Sequence, residues 1–403
     1  MSPSEGSGRT FRGRGRLFGS LCATVFLVNL ARVVFAPLVE PLRASFGLSG
    51  ATVGLVATMA WLGSAVPRLP TGYLLTRVPR HVVVLGAGGL LAASAALTAV
   101  ADSFPVLAAG AFLMGTTSGA YFVAANPLVS ELFPDRVGRA IGIHGMSSQL
   151  AAVVAPLAVG AILLAWDWRA VFWTVSAVAA ATTLAVFLVA RGAEMPAAGT
   201  RDRDFAAALA RQWPIVVTAV AIIGATGFVW NGVFNFYVTY LVESKGFAEP
   251  TARNMLTLAF AAGVPAFVVT GRVADRVPHV PLMLAVLGGF VASLLALTAV
   301  RSLWPVAAVS VVLGYVVHSL FPALDTYLLD SLPDENRASA YSVYSAGMTL
   351  VQAGGSAAIG AITDAGFAFD AVYRGSAVGL AAILLVLVAL HAFDRLPSEA
   401  APA

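Results

Sequence analysis

Apolar stretches long enough to cross a bilayer recur along nearly the whole chain, and that recurrence leaves few folds open. They begin near Leu17, Ala51, Val82, Pro105, Arg139, Ala170, Pro214, Arg253, Val280, Pro305, Ala338 and Ala371. In lipid every backbone N–H and C=O must be satisfied within its own segment, so such runs read as α-helices. Twelve of them within 403 residues leave no room for a sizeable soluble domain. Composition agrees, with 59% of residues hydrophobic and 11% charged. The expected fold is an all-α integral membrane protein with twelve transmembrane helices.

The chain also repeats itself. Thr71-Gly72-Tyr73-Leu74-Leu75-Thr76-Arg77-Val78-Pro79-Arg80 aligns with Thr270-Gly271-Arg272-Val273-Ala274-Asp275-Arg276-Val277-Pro278-His279, an offset of 199 positions. The same offset carries Gly47 onto Gly246, Asn126 onto Asp325, Glu131 onto Asp330 and Pro134-Asp135 onto Pro333-Asp334. Two pseudo-symmetric six-helix bundles of this kind can open a site between them to either side in turn, the architecture of secondary transporters. The expected divisions are a tail over 1–16, a first bundle over 17–190, a central loop over 191–213, a second bundle over 214–395 and a tail over 396–403. Both extreme ends read as unfolded on composition. Within the loop, Phe205, Leu209 and Trp213 are spaced four apart, which suggests either a short helix lying on the inner leaflet or a solvated linker. Residues 9–31 imitate a secretory signal, but the first helix has a repeat partner in the seventh, so it is expected to be retained.

Charge sets orientation. Of the 24 Lys and Arg, Arg43, Arg169, Lys245, Arg253, Arg301 and Arg374 fall on one side of the membrane. Arg32 and Arg68 fall inside spans, and the rest fall on the other side. The positive-inside rule makes that richer side cytoplasmic, with both termini there. The sequence pI near 9.5 therefore reports topology, not nucleic-acid binding; contact of the basic tail at 9–16 with anionic membrane lipid is the alternative for that stretch. A lone Cys22 excludes an internal disulfide, the sparse His residues form no metal cluster, and no loop is built to cradle phosphate. No cofactor is implied, and no clustered catalytic groups argue for an enzyme.

Gly72-x-x-x-Thr76-Arg77-x-Pro79-Arg80 between helices 2 and 3 resembles the loop motif of the major facilitator superfamily. Gly271-x-x-x-Asp275-Arg276-x-Pro278-His279 is its second-half copy. Glu131-Leu132-Phe133-Pro134-Asp135-Arg136-x-Gly138-Arg139 resembles the family's helix 4–5 loop, and Trp166-Asp167-Trp168-Arg169-Ala170-Val171-Phe172 its turn before helix 6. The resemblance covers about residues 15–395. It implies a transporter of a small-molecule substrate in the cytoplasmic membrane, acting as a monomer by alternating access. It also implies a cytoplasmic gate of Gly72, Arg77, Glu131, Gly271, Asp275, Arg276 and Asp330, in which Arg–carboxylate pairs lock one arrangement. Thr76 stands where the family usually has Asp. Ala111 stands where many proton-coupled members carry Arg, and the antiporter pattern of helix 5 survives only as Ala155-Pro156 with Gly160. Both losses weigh against a drug/proton antiporter, the alternative assignment.

Charges within spans are costly and therefore functional suspects. Arg32, with Asn29 one turn earlier, is the first candidate for the substrate, as the guanidinium fork suits a carboxylate, phosphate or nitrate. The alternative partner is an internal acid. Arg68, on one helix face with Trp61, is either a second substrate ligand or a snorkelling side chain. Asn126, Gln149, Trp230, Asn231, Asn235 and Gln352 complete the candidate substrate set. Asp325 and His318, seven apart on helix 10, are the candidates for proton coupling, with a structural carboxylate as the alternative. The expected activity is transport of a small organic or inorganic anion, with H+ as the candidate coupling ion.

Overall fold

The structure, a computed structural model, describes residues 5–133, 137–192, 205–274, 276–331, 337–393 and 395. Among these residues all regular structure is helical. The first half comprises α1 (Glu5–Val33), a 3-10 turn at Ala36–Leu38, α2 (Val39–Phe46), α3 (Gly50–Ala65), α4 (Arg68–Leu74), α5 (Arg80–Ala99), α6 (Phe104–Leu132), α7 (Val137–Leu163) and α8 (Trp168–Ala190). The second comprises α9 (Phe205–Asn235), α10 (Tyr237–Glu243), α11 (Glu249–Ala274), α12 (His279–Ala299), α13 (Leu303–Ser331), α14 (Arg337–Ala353), α15 (Gly355–Asp364) and α16 (Phe369–Ala392). Several spans are broken: α3/α4 at Val66-Pro67, α9/α10 at Phe236 and α14/α15 at Gly354, while α2 follows α1 after the short 3-10 turn. Twelve spans in two sets of six result.

Among the described residues, ten helical segments are long and apolar enough to cross a membrane. The other two are explained by where they sit. α11 carries Glu249, Arg253, Asn254 and Arg272, and α14/α15 is divided into two short pieces. Both spans place residues on the central cavity, where polar groups are tolerated.

The repeat seen in the sequence is repeated in space. Gly47 and Gly246 both sit in the left-handed region, with φ of 62° and 75°, each just past the first span of its half. A β-carbon is strained there, so glycine is required at both turns. Helix contacts follow the same offset. A side chain at Gly115 of α6 would overlap the Ala60 carbonyl oxygen of α3, and one at Gly314 of α13 would overlap the Ala259 carbonyl oxygen of α11. Ala60 and Gly115 map onto Ala259 and Gly314 by the same 199 positions. In lipid, helices associate through such close backbone approach. The same seam on α6 takes in Gly119, which lies against the Ser64 carbonyl.

Two boundaries differ from expectation. α1 begins at Glu5, well before position 17. α9 begins at Phe205 and runs unbroken to Asn235, so Phe205, Leu209 and Trp213 belong to the first turns of the seventh span and form no separate interfacial helix. Continuing the helix keeps its backbone groups paired, which a break at the membrane edge would not.

Replacing Gly115 or Gly314 with Val is expected to lower the thermal midpoint of the purified protein, since overpacking costs about 1–3 kcal/mol or more. Gly86→Val, at a site with open space around it, is the control and should leave the midpoint nearly unchanged. Equal midpoints for all three would show that these backbone contacts do not hold the bundles together.

Candidate functional site: a central cavity between the two halves

A cavity of about 540 Å3 lies between the two bundles, within the range of small-molecule sites. Asn29, Arg32, Trp61 and Arg68 border it from the first half, together with Asn126 and Gln149. Trp230, Asn231, His318 and Gln352 border it from the second. The cavity thus gathers candidates that lie far apart in sequence. Asn235 is the exception: it is buried behind the wall, and its role is indirect.

Arg32 is buried near the end of α1. Its Nη2 donates to Asn29 Oδ1 at 2.5 Å, and Asn29 Nδ2 donates in turn to the Ser148 carbonyl on α7 at 2.7 Å. The guanidinium carbon lies 4.7 Å from the Trp61 ring centre and 5.6 Å from that of Phe122, so the cation rests between aromatic faces. Its Nε–H has no acceptor among the described residues, and neither does the Trp61 indole N–H. No Asp or Glu stands among the described lining residues.

Arg68 opens α4 immediately after the Pro67 break. It does not snorkel to an interface: it is buried, its Nε donates to the Ser64 carbonyl at 3.1 Å, and its Nη1 donates to Ser345 Oγ on α14 at 2.5 Å. The side chain turns inward there, so Arg68 ties the two halves as well as bordering the cavity. Gln149 does likewise, donating from α7 to the Phe260 carbonyl on α11 at 3.2 Å.

The second-half wall is aromatic. The Phe234 ring stands 5.7 Å from Trp230, 5.6 Å from Phe260 and 6.3 Å from Trp61. His318 donates from Nδ1 to the Gly314 carbonyl at 2.7 Å and packs its ring edge-on against Trp230. Phe122, Phe260, Tyr341 and Ser345 were not singled out in the sequence. The repeat offset could have found Phe260, since it is the partner of Trp61. Tyr341 and Ser345 carried no signal, because nothing local marks which face of α14 turns inward.

The proposed gate at the Gly72 end differs from expectation. Glu131 pairs with Arg80, at 2.9 Å, while Arg77 is exposed and lies over Tyr73, its Nη2 donating to the Tyr73 hydroxyl at 2.8 Å. The reason is geometry: Arg80 opens α5 beside the end of α6, whereas Arg77 belongs to the preceding turn. Arg80 and Glu131 lie in the same half, so their pair does not bridge the halves. Gly72 is buried on α4, and Arg276 is exposed. Gly271 lies on α11, and Asp325 and Asp330 on α13, but their side chains, like the whole of Asp275, lie outside the described residues.

Among the described residues, bridges between halves concentrate at the opposite end. Thr239 donates its hydroxyl to Glu40 Oε1 at 2.6 Å, and these two residues are repeat partners, so they mark the axis relating the halves. Asp364, the last residue of α15, accepts the backbone N–H of Gly50 at 2.9 Å and of Ala51 at 2.6 Å. Those amides open α3, where helical N–H groups have no internal partner. A carboxylate at the end of α15 is misplaced for its own helix dipole and well placed for that of α3. Partial burial pushes the Asp364 carboxyl up in pKa. The Ala51 amide, the Ser49 hydroxyl, the Gly50 amide and the charge of Arg43 outweigh that and hold it below its usual value. Gly50 and Gly360 allow the approach, as a side chain on either would strike the other helix's backbone or Asp364.

A chain of two related six-helix bundles around one central cavity, crossed by buried cations, has the build of a membrane carrier. The Major Facilitator Superfamily family model matches residues 21–298 and 222–403, and the chain belongs to that family of transporters. It is 26% identical over 271 residues to the chloramphenicol resistance protein of Streptomyces lividans, covering 66% of this chain and 68% of that one. It is 25% identical over 275 residues to a chloramphenicol efflux pump of Mycobacterium tuberculosis, covering 66% and 65%. A probable sulfoacetate transporter of Cupriavidus necator matches at 23% over 281 residues, again covering 66% and 65%. The chain thus spans about two thirds of the length of these relatives. In fold it is similar to a bacterial homolog of the human lysosomal transporter Spinster, with a TM-score of 0.78, 17% identity and coverage of 97% and 99%. The D-xylose-proton symporter follows, with a TM-score of 0.75, 14% identity and coverage of 92% and 96%.

Because the Asp364 carboxyl is held below its usual value, its contribution is present above the ordinary carboxylate range and is lost as pH falls through the lowered value. Asp364→Asn should therefore lower the thermal midpoint near neutral pH, with the gap from wild type closing as pH falls through and below the ordinary carboxylate range. A gap independent of pH would assign the residue a packing role with no electrostatic part.

Proposed function

We propose that this transporter carries a small organic anion with an apolar body, and that Arg32 receives its acidic group. The observation that carries this is the state of Arg32: a buried guanidinium on the cavity wall with, among the described residues, one hydrogen-bond partner and no lining carboxylate. A guanidinium cannot shed its proton to escape burial, so it requires a negative partner during part of the cycle. A buried donor left without an acceptor costs about 1–3 kcal/mol, which a ligand oxygen would remove. The aromatic faces of Trp61, Trp230, Phe234 and Phe260 suit an apolar body.

In this reading the Gly72 end and both termini are cytoplasmic, as the distribution of Lys and Arg supports. The bridges at Glu40 and Asp364 then close the outer end, and alternating access requires them to part. Asp325 is the proposed proton carrier, supported by its repeat partner Asn126 bordering the cavity. A second reading, export of neutral aromatic drugs, is favoured by the aromatic wall together with the chloramphenicol efflux relatives.

Benzoate, sulfoacetate, chloramphenicol and tetraphenylphosphonium, titrated onto the purified protein and followed by counterflow in proteoliposomes, separate the two. Benzoate or sulfoacetate is expected to bind, with Arg32→Lys weakening it about tenfold or more, since an ammonium cannot reproduce the planar fork. Arg32→Ala should abolish it. Binding of chloramphenicol or tetraphenylphosphonium alone, unchanged in Arg32→Ala, would overturn the anion reading. So would restored transport in Arg32→Ala combined with Asp325→Asn, which would mean the two residues neutralise each other.

A further inference from the structure

Arg32 and Asn231 occupy repeat-equivalent positions, 199 apart, on α1 and α9. Both border the cavity, and both hold donors without acceptors among the described residues: the Nε–H of Arg32 and the Nδ2 amide of Asn231. Asn231 is 1% exposed and Arg32 is 9% exposed.

The orientation of the Asn231 amide is fixed by its neighbours. Asn235 Nδ2 faces the Asn231 main-chain carbonyl at 2.8 Å, so that atom must be the donating nitrogen. The same nitrogen also reaches Asn231 Oδ1, at 3.0 Å, which must then be the oxygen. Ser356 on α15 donates to Asn231 Oδ1 at 2.6 Å and accepts from Asn235 Nδ2 at 2.9 Å. With its oxygen committed twice to this buried network, Asn231 has only its NH2 group left to offer. Asn235 and Ser356 are positioning residues for that group.

Across the cavity the complement is different. There Arg32 supplies a charge, and Trp61 adds an indole N–H that also lacks a described acceptor. The two walls therefore match in position and differ in chemistry: a cationic double donor on the first half, a neutral amide donor on the second.

We infer that the substrate is two-ended: an oxyanion held by Arg32 and Trp61, and a separate neutral acceptor, such as a carbonyl, held by the Asn231 amide. This rests on the anion reading above and deepens it. A ligand of this kind binds in one orientation and spans both halves, so it satisfies donors on both only when they approach. A plain monoanion satisfies one wall alone.

The test is calorimetric titration of purified protein with benzoate, with 3- and 4-acetylbenzoate, and with 3- and 4-isopropenylbenzoate, which keep the shape of the acetyl group and lack its carbonyl. At least one acetylbenzoate should bind wild type about tenfold more tightly than its isopropenyl counterpart. Asn231→Asp keeps the oxygen that Asn235 and Ser356 use and removes the donor, so within that variant the acetylbenzoate and isopropenylbenzoate affinities should converge; the added charge weakens all the benzoates alike and leaves that ratio unmoved. Trp61→Phe keeps the ring and removes the N–H, so it should weaken every benzoate severalfold and leave the acetyl advantage intact. No acetyl advantage in wild type, or one that survives in Asn231→Asp, overturns the two-ended substrate while leaving the anion reading standing. If no benzoate binds at all and sulfoacetate does, the apolar body and the two-ended ligand both fall, and only the assignment of an anion to Arg32 stands. If neither binds, that assignment falls too. The wild-type comparison needs no variant, so misfolding of a mutant cannot decide the outcome.

Discussion

Helix backbones in this protein touch one another directly, and the rest of the architecture depends on that contact. In lipid no hydrophobic gain drives helix against helix, so association depends on how closely the backbones approach. Gly115 against Ala60 and Gly314 against Ala259 give each half the same close seam. These seams are within halves, so each half can move as a packed unit. What joins one half to the other is then free to be more polar and more easily broken.

The halves also meet backbone to backbone, at Gly50 against Gly360 and at Gly54 against Ser356, and around those contacts their joins are polar. Asp364 caps α3 from α15, Thr239 reaches Glu40, Arg68 reaches Ser345 and Gln149 reaches the Phe260 carbonyl. Each is a hydrogen bond made to a group that water or another partner could satisfy instead. Replacing one set by another costs far less than separating interlocked side chains, which suits an interface that must part in a working cycle. The cavity sits among these bonds, so a ligand bridging its walls acts directly on the surfaces that must separate.

Much of this was legible in the sequence. Spanning helices follow from run length, and pairing of the halves follows from the constant offset, which reappears in the left-handed turns at Gly47 and Gly246. Arg32, Asn29 and Trp61 could be singled out because polar groups in apolar spans are costly wherever they stand. Helix continuity was less legible: α9 already begins at Phe205, so the last residues assigned to a central loop belong to it. The gate partner also escaped, since Arg77 and Arg80 are equally basic and only the meeting of α5 with α6 selects Arg80 for Glu131.

The sequence by itself determined the number of spans, the twofold plan and the presence of buried cations, because each depends on local chemistry against lipid. Only the tertiary structure decided which side chains meet. Asn231 and Asn235 look alike on one helix, one turn apart, yet Ser356 arriving from α15 makes the first a cavity donor and the second its support. Asp364 reads as an ordinary loop-end acid until α3 brings its bare amides to it. In both cases the partner lies more than a hundred residues away, and a hydrogen bond acts only over a few ångströms that the packed fold alone sets.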